Sequence, residues 1–199
     1  MLDNDAQAGL SRCRQPDKIV RQLDPLPSSE MIYSLVHYPN IDAKLINRFR
    51  RNYDPQVDLI RPHITLMFPV SESIGEDKLV RHLQNVLREP QPFPIHLKGL
   101  HKSSDDYLFL LVDEGKEAIV DLHAHIYSDV LANKRQTELP YVPHLTLGVF
   151  RENTNEFPKA LDEAKRLDLS YRCMLDKLHL VKINDQRTQI VWSKEFSLE

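Results

Sequence analysis

This chain predicts an α+β fold: a bilobal, duplicated arrangement of two pseudo-symmetric, mainly antiparallel sheets, with helices outside and a central cleft. Three observations predict it. The phrase Pro62-His63-Ile64-Thr65-Leu66 returns 81 residues on as Pro143-His144-Leu145-Thr146-Leu147. The helices and strands that follow each copy recur in nearly the same order. The chain, 199 residues with 41% hydrophobic content, is long and apolar enough to bury a sizeable core.

Residues 1–28 are polar and end in the connector Asp24-Pro25-Leu26-Pro27-Ser28-Ser29, which marks an N-terminal arm ahead of a single bilobal domain over 29–199. The apolar run MIYSLVHY, 31–38, reads as the first strand, and a helix is expected near 41–52. After a linker containing Pro55 comes the first His-x-Thr strand, HITLMFPV, 63–70. A helix over 76–87 follows, with Leu79, Leu83, Val86 and Leu87 on one face. Strands at 93–100 and 107–114 pair across the turn-like Ser103-Ser104-Asp105-Asp106. The order then begins again: a helix near 117–132, the strand HLTLGVF at 144–150, a helix near 156–167, and strands at 174–183 and 188–197. His96 lies 33 residues after His63, and His179 lies 35 after His144, so these two are expected to occupy equivalent strand positions.

Side chains two apart on a strand share a face. His63 therefore accompanies Thr65, and His144 accompanies Thr146, while Ile64, Leu66, Leu145 and Leu147 point the other way into a core. Each pair offers an imidazole and a hydroxyl roughly 6–7 Å apart, a separation suited to gripping different oxygens of one tetrahedral group. Two histidines suffice to open a phosphodiester, one as base and one as acid, because their ordinary pKa of about 6.5 lets both forms exist near neutrality. The threonine hydroxyls would hold charge on the non-bridging oxygens. No metal and no cofactor is required by this chemistry.

Composition removes several alternatives. A formal net charge of −3 and a pI near 6.3 argue against a protein that coats long nucleic acid by neutralising its phosphates. The five glycines form neither of the usual glycine-rich phosphate cradles. No G-x-S-x-G or H-E-x-x-H is present. Cys13 and Cys173 suggest neither a disulfide framework nor a zinc site. The acidic, polar start MLDNDAQAGL does not read as a signal peptide, and no membrane span is visible, so a cytoplasmic setting is the expectation.

Paired H-x-[ST]-x motifs on the strands of a duplicated fold resemble the two-histidine phosphoesterase superfamily. Over residues 31–198 the chain is most similar to its 2′-5′ RNA ligase and cyclic phosphodiesterase branch, whose members carry P-H-h-T-L with h apolar. The resemblance implies metal-independent catalysis by His63, Thr65, His144 and Thr146. It also implies substrates with 2′,3′-cyclic phosphates or 2′-5′ linkages, as RNA ends or small nucleotides. A monomer without membrane attachment is expected. A non-catalytic RNA-end or nucleotide-binding module, and a phosphodiesterase for a small non-RNA cyclic metabolite, stand as alternatives.

Three neighbours of the motifs are candidates for substrate contact: Arg61 and Arg151 for phosphate, Tyr141 for base stacking. His123 and His125 lie two apart in an expected helix, so their side chains diverge and do not make a metal pair. His96 and His179 could line the cleft. His37, His82 and His101 carry no signal. Asp105-Asp106 and Asp113-Glu114 fit turns and strand ends rather than a metal centre.

Overall fold

The structure, a computed structural model, describes residues 30–135 and 140–199. The expected arm over 1–28 and its connector, residues 24–29, lie outside the described residues. The elements are β1 (Ile32–His37), α1 (Lys44–Tyr53), β2 (Ile64–Ser71), α2 (Glu76–Val86), β3 (Phe93–Lys102), β4 (Tyr107–Val112), α3 (Lys116–Ile126), β5 (His144–Val149), α4 (Phe157–Arg166), β6 (Ser170–Leu175), β7 (Lys177–Ile183) and β8 (Ile190–Ser197). The α+β class and the antiparallel pairing are as the sequence predicts. The two sheets are two halves of one eight-stranded sheet, ordered β6-β3-β4-β5-β2-β1-β7-β8.

The halves meet between the two His-x-Thr strands, and a single register pair, Ile64 with Leu145, joins β2 to β5. Elsewhere the ladders are long: β3 pairs with β6 over Phe93–Lys98, and β7 pairs with β8 over Lys177–Ile183. The duplication is crossed. The hairpin β3–β4, which follows the first motif in sequence, pairs beside β5; strand β7 of the last hairpin pairs with β1, which itself pairs with β2. Strand β5 is thus flanked by the hairpin that follows the first motif, while β2 is flanked by β1, with the hairpin that follows the second motif on its far side.

The strand expected at 174–183 is two strands, broken at Asp176. Leu175 ends β6, paired to β3, and Lys177 starts β7, paired to β1. Only one residue separates strands that stand six places apart in the sheet order. Because Cα atoms two apart span at most about 7.6 Å, the sheet bends until these ends meet. The helix expected near 117–132 stops at Ile126, where Ser128 Oγ donates to the His125 carbonyl, and a 3-10 stretch runs from Asp129 to Lys134.

One face of the sheet is covered by the helices. Ile64, Leu66, Leu145 and Leu147 are fully buried there with Ile46 and Phe49 of α1, Leu79 and Leu83 of α2, Ile119 and Ile126 of α3, and Ala160 of α4. Helix α1 crosses β5 so closely that a Cβ at Gly148 would stand 2.9 Å from Tyr53 Cβ. On the opposite face a smaller cluster of Ile32, Val36, Val181 and Ile183 is capped by Ile60. Ile60 is held by α1: Arg50 Nη2 donates to its carbonyl at 3.0 Å while Arg50 Nε pairs with Asp54 at 2.8 Å, both side chains almost wholly buried. Because both faces of β1 are covered, all six of its residues are buried instead of alternating with exposed ones, Ser34 and His37 included. No helix among the described residues is long and apolar enough to cross a membrane.

Candidate active site

Pairing Ile64 with Leu145 in an antiparallel ladder fixes the neighbours on either side. His63 falls opposite Thr146, and Thr65 falls opposite His144. Since Ile64 and Leu145 point into the helix-covered core, pleating turns all four flanking side chains to the other face. Each imidazole is therefore carried on the same face as the hydroxyl of the other strand, on the opposite side of the crossing.

The two rings are held in the same way. His63 Nδ1 donates to the Arg61 carbonyl at 2.8 Å, and His144 Nδ1 donates to the Val142 carbonyl at 2.6 Å, each two residues back along its own chain. A carbonyl can only accept, so the proton of a neutral ring sits on Nδ1, and Nε2 keeps its lone pair. Burial pushes the His63 pKa down to about 4; its bond to Arg61 and the Asp54 carboxylate oppose this, while the Arg50 guanidinium and His144 add to the fall. Burial also lowers His144, opposed by its bond to Val142 and by the Asp105 carboxylate, while His101 adds to the fall. The environments differ in a second way. Phe109 lies face to face with the His144 ring at 3.6 Å between centroids and 21° between planes. His63 meets only the Tyr38 ring, at 6.4 Å and 69°.

Beyond their one register pair the two strands part, and side chains take over the unpaired edge of β2. Tyr141 Oη donates to the Thr65 carbonyl at 2.7 Å, His123 Nδ1 donates to the Leu66 carbonyl at 2.8 Å, and the Phe68 amide donates to Tyr127 Oη at 2.9 Å. Tyr141 and His123 stack in parallel at 3.8 Å. The Tyr141 ring is thereby engaged on one face within the protein. His123 is buried and His125 exposed, so the two diverge as the helical spacing requires.

Arg61 and Arg151 both lie toward the same end of the quartet, because the start of β2 runs alongside the end of β5. Each guanidinium rests on a tyrosine ring, Arg61 on Tyr38 at 4.2 Å and Arg151 on Tyr107 at 4.8 Å. Arg151 is also paired with Asp105 at 2.7 Å. Arg61 has no carboxylate partner among the described residues.

The expected equivalence of His96 and His179 does not hold. His179 stands opposite Val36, which stands opposite Thr65. The corresponding path from Thr146 runs through Phe109 to His101. His101, without a sequence signal, is the true counterpart, and Gly99 is the reason. At φ +89° it carries a bulge between the pairs Leu97–Val112 and Leu100–Leu110. Without that extra residue His101 would fall opposite Leu108 on the core face. His96 lies at the far end of β3, where Nε2 meets Ser170 Oγ at 2.8 Å and Nδ1 stands 3.7 Å from Glu114. His37 and His82 bond backbone carbonyls. Among the described residues no three His, Cys, Asp or Glu side chains cluster as metal ligands would. Phe109 also escaped the sequence reading. Its signal was alternation: Tyr107, Phe109 and Leu111 share the face that faces β5's histidine.

Residues 38–187 match the model of the 2′-5′ RNA ligase superfamily. A protein of Bacillus licheniformis with the provisional name phosphoesterase is 30% identical over 156 residues, covering 76% of this chain and 89% of that one. A protein of Geobacillus thermodenitrificans with the same provisional name is 26% identical over 155 residues, 76% of this chain and 87% of its own. Escherichia coli LigT, solved with NADP+, superposes with a TM-score of 0.52 at 16% identity, over 86% of this chain and 95% of LigT. That likeness concerns the fold.

Proposed function

The chain belongs to the 2′-5′ RNA ligase superfamily, and from that premise we propose that it is a metal-independent phosphoesterase acting on 2′,3′-cyclic phosphate or 2′-5′ phosphodiester bonds. His63 and His144 are its acid–base pair, and Thr65 and Thr146 its oxyanion donors. The observation that carries the reading is the register pair Ile64–Leu145, which sets each histidine against the other strand's threonine.

In the hydrolytic direction water attacks phosphorus of a cyclic end. His63 Nε2 takes its proton, and His144 Nε2 gives one to the departing ribose oxygen. The assignment rests on one difference in surroundings: burial lowers both imidazoles, His63 to about 4, but only His144 lies against the π-face of Phe109, which opposes the fall and makes it the better placed acid. Threonine hydroxyls on opposite sides donate to the non-bridging oxygens as charge builds. With a 5′-hydroxyl in place of water the same steps make a 2′-5′ linkage, and the reverse reaction exchanges the two roles.

The test uses adenosine 2′,3′-cyclic phosphate. His63→Ala and His144→Ala are each expected to lower kcat by a factor of about 10² to 10⁴, the usual worth of one general acid or base, and EDTA to leave the wild-type rate intact. Strong inhibition by EDTA would count against the mechanism. Tight binding without any monophosphate product would make the protein a nucleotide-binding module instead.

A further inference from the structure

Resting on the phosphodiester reading above, we propose that Arg61 and His179, floored by Tyr38, form a subsite for a second phosphate. That phosphate belongs to the nucleotide on the His63 side of the scissile phosphorus. The groups form one continuous patch. The Arg61 guanidinium lies 4.2 Å over the Tyr38 ring, and that ring lies 4.9 Å from His179 and 6.4 Å from His63 between centroids. Through Val36, His179 stands in the row of Thr65 two strands away, on the order of 10 Å from it.

Charge distinguishes this side of the site from the other. Both guanidinium carbons stand over a tyrosine ring, and a guanidinium so placed can still offer its N–H donors to a bidentate anion. Arg151 already has its anion in Asp105. Arg61 has none among the described residues. The carboxylate nearest His179, Glu195 at 3.8 Å, is itself held by Lys177 at 3.0 Å. The patch thus combines an unneutralised cation, a titratable imidazole and an aromatic floor beside one reacting histidine.

Its position identifies the phosphate. His63 stands next to the group that attacks a cyclic end, and when that group is a 5′-hydroxyl, the nucleotide bearing it carries its next phosphate on the 3′ oxygen. In the cleavage direction the neighbouring 3′-hydroxyl oxygen bonds to phosphorus and gives its proton to His144. The bond from phosphorus to the 5′ oxygen breaks, and that oxygen takes a proton from His63. A phosphate on Arg61 and His179 also favours the protonated His63 that this step needs. The substrate class is therefore an RNA strand with a 2′-5′ bond at the scissile position that continues beyond it through an ordinary 3′-5′ linkage.

Two substrate pairs test this. The first is a 2′-5′-linked adenosine dinucleotide with and without a 3′-phosphate on its second nucleoside. The second is adenosine 2′,3′-cyclic phosphate with and without a 5′-phosphate. In the wild type the added 3′-phosphate should raise kcat/KM roughly tenfold, the worth of one charge-assisted contact. The gain should shrink to about twofold or less in Arg61→Gln and fall in His179→Asn. The 5′-phosphate should bring no gain that depends on Arg61. An equal 3′-phosphate gain in wild type and both variants, or a gain confined to the 5′-phosphate pair, overturns the subsite. Failure of the wild type to turn over any of the four compounds overturns instead the phosphodiester reading on which it rests.

Discussion

Replacing Phe109 by leucine tests which histidine is the acid. The phenyl ring lies 3.6 Å from the His144 imidazole and nearly parallel to it, so its π-face stabilises the imidazolium more than the neutral ring. Such contacts are worth about 0.5 to 2 kcal/mol as burial increases, and Phe109 and His144 are both half-buried. About 1 kcal/mol corresponds to roughly 0.7 of a pKa unit. Phe109→Leu should therefore lower the His144 pKa by about that much, beyond the fall that burial already causes. A competing effect has the opposite sign, because a smaller side chain admits water and relieves desolvation. Leucine keeps most of the apolar cover, so the lost π-face should win. NMR titration of the His144 Cε1 proton, assigned with His144→Ala, measures the shift, and the alkaline limb of kcat/KM should move to lower pH by the same amount. Phe109→Tyr should restore both. A His144 pKa unchanged or raised in Phe109→Leu, with the fold intact, would refute the reasoning and reopen the assignment of acid and base.

Two further outcomes follow from buried charge. Asp54→Ala strands the Arg50 guanidinium, whose remaining contact is the Ile60 carbonyl and whose Nη1 has no partner among the described residues; urea unfolding should show a loss of about 3 to 5 kcal/mol, and a loss under 1 kcal/mol would deny the pair its role in holding the segment over Val36. His37, His63, His123 and His144 are all pushed below the ordinary histidine value, first by burial. Between about pH 6.5 and the lower native values the unfolded chain binds more protons, so stability should be full above about 6.5 and fall progressively toward pH 4. His123→Gln, which can still donate to the Leu66 carbonyl, should flatten that fall; identical slopes of melting temperature against pH in variant and wild type would rule the mechanism out.

What could be read in advance was local. His-x-Thr alternation placed the four motif side chains on one face because strand pleating depends on adjacent residues alone, and the helix at 76–87 announced itself by its own periodicity. What could not be read was pairing between distant segments. Nothing near β3 says that it joins the half containing β5, and the duplicated order invites the opposite assignment. Single residues also defeat a periodic reading: the bulge at Gly99 turns His101 to the reacting face, and Asp176 divides an apparently continuous strand between two halves of the sheet. Tyr141 was legible as an aromatic beside the motif, but its bond to the Thr65 carbonyl arises only because β2 and β5 diverge there.

That divergence bears directly on the chemistry. A long ladder between β2 and β5 would align the motifs by many backbone bonds and would bring the strands close along their whole length. With only Ile64 and Leu145 in register, the strands cross once and part, with the four polar side chains of the motifs on one face around the crossing. The register must then be held by other means, since a slip of one residue would turn His63 and Thr65 into the core. Tyr141, His123 and Tyr127 supply them by bonding the β2 edge where β5 has left it. The fully buried Ile64 and Leu145 oppose the slip as well, because it would exchange them for polar side chains in the apolar interior. The same strand edge that forgoes β pairing thus opens the site and, through three side chains, keeps it in register.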